Sequence, residues 1–229
     1  MGKVYWDDYS QKFPFDNIRL VFSNKKYNIK DMVGLERFSG EVGLDPKNLI
    51  SLKQVHSSNV ISAIKPGIYA DVDGIINKGG ELVCSIQVAD CLPIFFANNN
   101  SKTIGLVHAG WRGLSLGILP EFINKVNCFK ESVSEYNVLI GPSIQSCCFE
   151  IRNDVLHRFD SKFYNNNGRK KYSVDLQGWA VNQLVSSGIK REKIKVIKKC
   201  TFCSNTLYHS YRRDGTNVDR MFALIGWLN

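Results

Sequence analysis

Asp90, Cys91, His108 and Arg112 stand at the ends of two apolar runs in the stretch "VADCLPIFFANNNSKTIGLVHAGWRG". Buried strands favour Val, Ile and Phe. A thiol, an imidazole and a glycine-flanked arginine at their ends are residues able to do chemistry. His56 follows a third apolar run, "LISLKQV". Two histidines and one cysteine make a three-ligand set that leaves a fourth position open, the pattern of a catalytic rather than a structural zinc. The three lie far apart in the chain, so spacing alone does not establish the set. Asp90 is a carboxylate in apolar surroundings and needs a partner there. One candidate is the free N–H of a metal-ligating histidine. The ordinary readings of the same residues are a hydrogen-bonded rim histidine and an inert, packed cysteine.

Three further stretches carry reactive side chains. In "AGWRGLS" a strand ends, a Gly-Trp-Arg-Gly loop follows and a helix begins. Free backbone N–H groups at the helix start and the Arg112 fork suit phosphate or carboxylate; the alternative is a tight turn with a surface arginine. "GPSIQSCCFEI" places Cys147 and Cys148 in a turn, either lining a pocket or packed, with its last residues entering a helix. "CTFCSNTLYHSYRRDG" contains one CxxC, Cys200 and Cys203, readable as half a zinc knuckle or as a redox pair. No second CxxC exists. Tyr211, Arg212, Arg213 and Asp214 form a polar cluster beyond it, either reaching a substrate or lying in a solvated loop. His157 reads as a surface residue.

The elements that must position these groups are mostly strands. Segments rich in β-branched and aromatic residues are "IRLVFS", "NLISLKQVHS", "NVISAI", "DGIIN", "ELVCSIQVA", "LPIFFAN", "TIGLVHA", "YNVLIG", "KIKVIK" and "FALIGWL". Helices are expected in "IKDMVGLERFSGEVG", "RNDVLHRF" and "DLQGWAVNQLVSSG", the last ending at Gly188. In "LSLGILPEFINKVN", Leu114, Ile118, Phe122 and Val126 share one helical face, with Pro120 marking a kink or a late start. "ANNNSK" and "DSKFYNNNGRKKY" read as loops. The sum is a mixed α/β domain dominated by strands, helices outside. The expectation is one domain over residues 1–229, with 1–18 a peripheral segment.

Size and composition set the outer limits. A chain of 229 residues with 44% hydrophobic and 22% charged residues is an ordinary globular composition. No run approaches the roughly 18 apolar residues needed to cross a bilayer, and no leader-type apolar segment is visible. The net charge of +9 comes from scattered lysines without an aromatic-interleaved basic stripe, so nucleic acid is not an expected partner. Seven irregularly spaced cysteines fit reduced thiols in a cytoplasm rather than a disulfide framework.

The ordered motifs "LKQVHS", "DVDGIIN", "QVADCLPIFF", "GLVHAGWRGL", "IGPSIQSCCFEI" and "CTFCSNTLYHSYRRDG" closely resemble the laccase-domain family, also labelled multicopper polyphenol oxidase. The resemblance runs from about Arg19 to the C-terminus. It implies a single α/β domain with mixed sheets flanked by helices, related to bacterial cytotoxic necrotizing factor-like catalytic domains. It also implies one zinc held by His56, Cys91 and His108, with copper able to occupy the site in vitro, and a monomer or homodimer.

The activity implied is purine nucleoside chemistry: phosphorolysis of adenosine, inosine and methylthioadenosine, and deamination of adenosine. In deamination a zinc-activated water attacks purine C6, with Asp90 orienting a ligand or carrying a proton. In phosphorolysis Arg112 and Arg213 hold the phosphate that attacks ribose C1′. The family's Thr-Arg-x-Gly-Gly-Val-Ser-like loop reads "FSNKKYNIKD" here, so Lys25 or Lys26 is the cation expected in place of its arginine. Relatives linked to cell-wall precursor editing imply an alternative, a cysteine or metal amidohydrolase with Cys91 as nucleophile and His108 as base. A third class is a non-catalytic zinc or nucleoside binding module. Multicopper oxidation is excluded, because four histidines cannot supply a mononuclear and a trinuclear copper site.

Overall fold

The computed structural model describes residues 5–228. Two six-stranded sheets carry the architecture. The first has the order β1-β2-β15-β7-β3-β5, built from Trp6–Asp8 (β1), Ile18–Ser23 (β2), Met221–Trp227 (β15), Val83–Val88 (β7), Leu49–Lys53 (β3) and Gly67–Ala70 (β5). The second has the order β14-β10-β8-β9-β6-β4, from Ile194–Val196 (β14), Asn137–Ile140 (β10), Leu92–Asn98 (β8), Thr103–Ala109 (β9), Gly74–Asn77 (β6) and Val60–Ser62 (β4). All ten strands expected from the sequence are present.

Period-two alternation sorts the side chains into layers. In β8, Phe95 and Ala97 face the first sheet, while Ile94 and Phe96 face the opposite way. In β2, Leu20 and Phe22 face the second sheet and Val21 faces outward. Both faces of each sheet are therefore covered, which is why β8 and β9 read as continuous apolar runs. The outer face of the first sheet packs on α1 (Met32–Glu41) through Leu35 and Phe38. The outer face of the second packs on α3 (Ile118–Cys128) and α4 (Leu176–Ser186). Phe122 of α3 stacks on Phe96 with ring centroids 4.0 Å apart. The order of layers is helix, sheet, sheet, helices: a single α/β domain.

Several expectations are refined. A five-residue helix, α2 (Trp111–Ser115), begins directly after β9, so Trp111 and Arg112 lie in its first turn rather than in a loop. Gly117, at φ +84°, separates α2 from α3 and leaves Pro120 in the first turn of α3, where its missing N–H breaks no helical bond. "CCFEI" leads into a strand, Glu150–Arg152 (β11), not a helix. The asparagine-rich "loop" holds Tyr164–Asn166 (β12), which pairs with Lys171–Val174 (β13) as a hairpin, and β13 also pairs with β11. "RNDVLHRF" forms a 3-10 rather than an α-helix, with His157 exposed as expected. Within the segment expected to be peripheral, the described residues 5–18 pack into the fold: β1 pairs with β2, and Tyr9 and Phe13 are buried between the sheets. All seven cysteines are free thiols, and no helix among the described residues is long and apolar enough to cross a membrane.

Candidate functional site

Two crossovers between the sheets bring the reactive residues together. The segment after β3 carries His56 on its way to β4, and the segment after β7 carries Asp90 and Cys91 into β8. Strand pairing sets the rest. β8 runs antiparallel to β9 with Pro93 opposite His108, so Cys91 lies beside Gly110. β6 also runs antiparallel to β9, with Gly74 opposite Val107, which brings Asp73 beside His108. β4 lies parallel to β6 with Val60 opposite Gly74, so the His56 loop reaches the same end of the sheet. One ligand atom from each of His56, Cys91 and His108 lies within 4.8 Å of the others. The two imidazole rings meet edge to face with centroids 4.8 Å apart. Gly110 permits this closeness, because a Cβ there would fall 2.9 Å from Cys91 Sγ and 3.2 Å from His56 Cδ2.

The carboxylate behind the histidine is Asp73. Its Oδ1 accepts from His108 Nδ1 at 2.8 Å and from His56 N at 3.0 Å. Its Oδ2 accepts from Ser57 N at 2.7 Å and Ser57 Oγ at 2.8 Å. These bonds hold His56 in the left-handed region at φ +61°, a conformation a non-glycine residue adopts only under constraint. Burial pushes the Asp73 carboxyl up, but the bonds from His108 and Ser57 outweigh it and bring the group down to about 2. With Nδ1 committed to Asp73, His108 presents Nε2 to Cys91.

The Cys91 thiol responds to the same arrangement. Enclosure pushes it up, but the His108 charge and hydrogen bonds from His108 and His56 prevail and lower it to about 6. Enclosure likewise lowers His108, while the Cys91 thiolate and Asp73 prevail and raise it to about 9. Without a metal the pair is a thiolate beside an imidazolium. A cation that binds takes the place of the imidazolium proton. A thiolate and two imidazoles with a carboxylate behind them suit zinc, which takes sulfur and nitrogen ligands and here would keep an open position.

Asp90 does not meet a histidine. Its Oδ1 accepts from Thr201 Oγ1 at 2.5 Å, and its Oδ2 from Ser210 Oγ at 3.0 Å and Arg212 N at 2.7 Å. The reason is geometric: Asp90, at φ +84°, turns toward the segment 201–212, whereas Asp73 is delivered to His108 by strand register. Asp90 therefore ties Cys91 to that segment.

A pocket of about 420 Å³ opens over His56, Cys91 and His108. Trp111, Phe149 and Tyr211 supply aromatic surface, and Arg112, Arg212 and Arg220 supply charge. Arg112 lies over the Trp111 ring at 4.5 Å. Arg212 donates to Glu150 O at 2.8 Å and lies over Phe149 at 5.2 Å. Two expected phosphate ligands are elsewhere. Arg213 spends its guanidinium on the carbonyls of Thr201, Phe202 and Tyr208 and on Asp214, so it braces a turn. Lys25 donates to Asn205 O and lines a smaller cleft of about 240 Å³ with Lys30, His209 and Asp219. Residue type alone could not separate Arg212 from Arg213, which are neighbours with opposite fates. The missed signal for Asp73 was a carboxylate directly before the apolar strand "GIIN", the same kind of signal that singled out Asp90 before "CLPIFF".

The chain is similar in sequence and in fold to several known proteins. Purine nucleoside phosphorylase YfiH of Escherichia coli (strain K12) is 33% identical over 190 residues, covering 80% of this chain and 75% of that protein. A purine nucleoside phosphorylase of Aquifex aeolicus is 31% identical over 222 residues, covering 95% and 98%. The crystal structure of YlmD from Geobacillus stearothermophilus superposes with a TM-score of 0.87 over 94% of each chain at 23% identity, a likeness of fold. The model of one family, described as multi-copper polyphenol oxidoreductase laccase, matches residues 14–228, and the chain belongs to that family.

Proposed function

We propose that the protein is a purine nucleoside phosphorylase whose pocket holds one zinc-type ion on His56, Cys91 and His108. The observation that carries this reading is the convergence of those three ligands beneath a pocket with both aromatic and arginine walls. The names of the relatives support the same activity. Several coppers, as the family description has it, do not suit the site: two histidines and no methionine line the pocket.

When bound, the ion supplies a Lewis acid in the pocket. The chain's own residues do the remainder. Trp111, Phe149 and Tyr211 offer apolar faces to a purine, and a pocket of this size suits a nucleoside. Arg112 and Arg212 take the role expected of Arg213 and Lys25, holding phosphate for attack on ribose C1′. The phosphate oxygen to C1′ bond forms as the bond from C1′ to the purine breaks, and the leaving purine takes on a ring nitrogen the proton that the attacking hydrogen phosphate gives up. Asp73 fixes His108 and the His56 loop, and Asp90 fixes Cys91. Adenosine, inosine and methylthioadenosine are the proposed substrates, with deamination of adenosine as a second activity.

A product assay on metal-analysed protein tests this reading. Adenosine, inosine and methylthioadenosine are supplied with and without phosphate, and with and without chelator. Free base that requires phosphate and disappears with chelator is the expected result. Inosine formed from adenosine without phosphate is the signature of deamination. No purine product under any condition overturns the proposal.

One observation favours a second reading. Cys91, His108 and Asp73 form a nucleophile, base and orienting carboxylate in series, the arrangement of a cysteine amidohydrolase. Cleavage of a peptide-like amide in a cell-wall precursor would suit it. Chelator separates the two readings, since it spares or raises thiol-based activity and abolishes the metal-dependent one.

A further inference from the structure

Of the six cysteines that do not line the pocket, four gather at one point. Cys147 and Cys148 sit in the segment between β10 and β11, and Cys200 and Cys203 in the turns after β14. Their four sulfurs all lie within 4.8 Å of one another. Cys203 Sγ is 3.8 Å from Cys147 Sγ and 3.3 Å from Cys148 Sγ. We propose that these four thiols hold a second metal ion, a structural zinc-type cation in a closed four-cysteine site.

The separations fit a metal better than a disulfide. Four sulfurs about 2.3 Å from a tetrahedral zinc are about 3.8 Å from each other, whereas a disulfide needs about 2.0 Å. The donor set is sulfur alone, which selects a soft or borderline cation over magnesium or calcium. Every position is filled by protein, so the ion has no open place for substrate and acts structurally. Cys200 Sγ accepts from the backbone N–H groups of Cys203 and Gln145, which fix its position in the CxxC turn. Cys147 and Cys203 are exposed, which gives an ion a route in.

The backbone is arranged to hold the cluster. Ser143 and Cys200 form a parallel bridge, and Thr201 N donates to Ser143 O at 3.1 Å. Ser204 N closes the CxxC turn on Cys200 O at 3.0 Å. The two segments so joined also build the pocket: one supplies Ile144 and Phe149 to its wall, and the other supplies Thr201, which donates to Asp90 beside Cys91. An ion here would brace the pocket from behind without touching substrate.

Metal content per chain tests the proposal, on protein expressed with zinc and purified under reducing conditions. Wild type, a Cys147→Ser/Cys203→Ser double variant and a Cys91→Ala variant are compared. Two ions per chain are expected in wild type and one in each variant. After cobalt exchange, Cys91→Ala should keep most of the sulfur-to-cobalt charge-transfer absorption, four of five thiolates, and the double variant only the small remainder. A double variant that does not fold is replaced by mercurial titration of Cys91→Ala, where modification of the cluster thiols should release its one ion. A single ion in wild type that vanishes in Cys91→Ala overturns the proposal. So does a metal-free cluster whose native mass shows a disulfide, which would make it a redox pair. Because Cys91→Ala removes only the pocket ion, failure of the nucleoside reading and failure of this one give different results.

Discussion

Asp73 Oδ1 receives the Nδ1–H of His108 at 2.8 Å, with both side chains buried. The same carboxylate receives the backbone of His56 and Ser57, so one residue orients one proposed ligand and shapes the loop of another. Asp73→Asn removes the charge and presents an amide N–H to groups that are already donors. Metal affinity at the pocket should fall about 10- to 100-fold, read by competition with a chromophoric chelator. Lower thermal stability with unchanged affinity would leave Asp73 a structural residue only.

The backbone of Gly110 packs against Cys91 and His56. Gly110→Ala places a methyl 2.9 Å from Cys91 Sγ, and overpacking of this kind costs about 1–3 kcal/mol. The variant should keep its far-ultraviolet dichroism and lose pocket metal and turnover together. Full metal content in the alanine variant would mean that Cys91 and His56 can separate without harm.

Arg212 and Arg213 should behave oppositely although they are adjacent. Arg212→Ala is expected to raise the KM for phosphate about tenfold or more with little change in melting temperature. Arg213→Ala strips the donors from three carbonyls and should destabilise by about 2 kcal/mol, leaving the KM for phosphate near wild type. Lys25→Ala should alter neither. Steady-state kinetics with phosphate varied, beside thermal melts, decides the case, and the reverse pattern returns Arg213 to the pocket.

Metal removal should expose a reactive thiol. In stripped protein Cys91 is held at about 6 by His108 and His56 against its enclosure. Its thiolate is therefore present above that pH and lost below it. Alkylation of Cys91, followed by peptide mass, should rise with a midpoint near pH 6 and be blocked by added zinc. A midpoint near the ordinary thiol value of about 8.5 would show that the imidazolium pair does not form.

The ten strands and the long helices were legible because their signals are local. Alternation, apolar runs and turn residues act within a few positions, and Ile118, Phe122 and Val126 form the buried face of α3 as the spacing implied, while Leu114 is buried from the separate α2. The short elements were less legible. β12 and β13 are polar strands stabilised by each other, and Asn165, Asn166 and Lys171 carry no apolar pattern that marks a strand. Likewise Tyr9 and Phe13 look like a loose N-terminal segment until the space between the two sheets exists to receive them.

The sequence by itself determined the residue types, the order of the motifs and the strand ends at which Cys91 and His108 stand. Only the tertiary structure decided which groups meet. Asp73 and Asp90 both precede apolar strands, and pairing of β6 with β9, not any local signal, gives the histidine to Asp73. Cys148 and Cys203 are 55 positions apart and come within 3.3 Å because β10 and β14 lie side by side. Local patterning reflects what each short segment must bury. Register and crossover reflect the packing of the whole sandwich, and a cluster of ligands is a property of that packing.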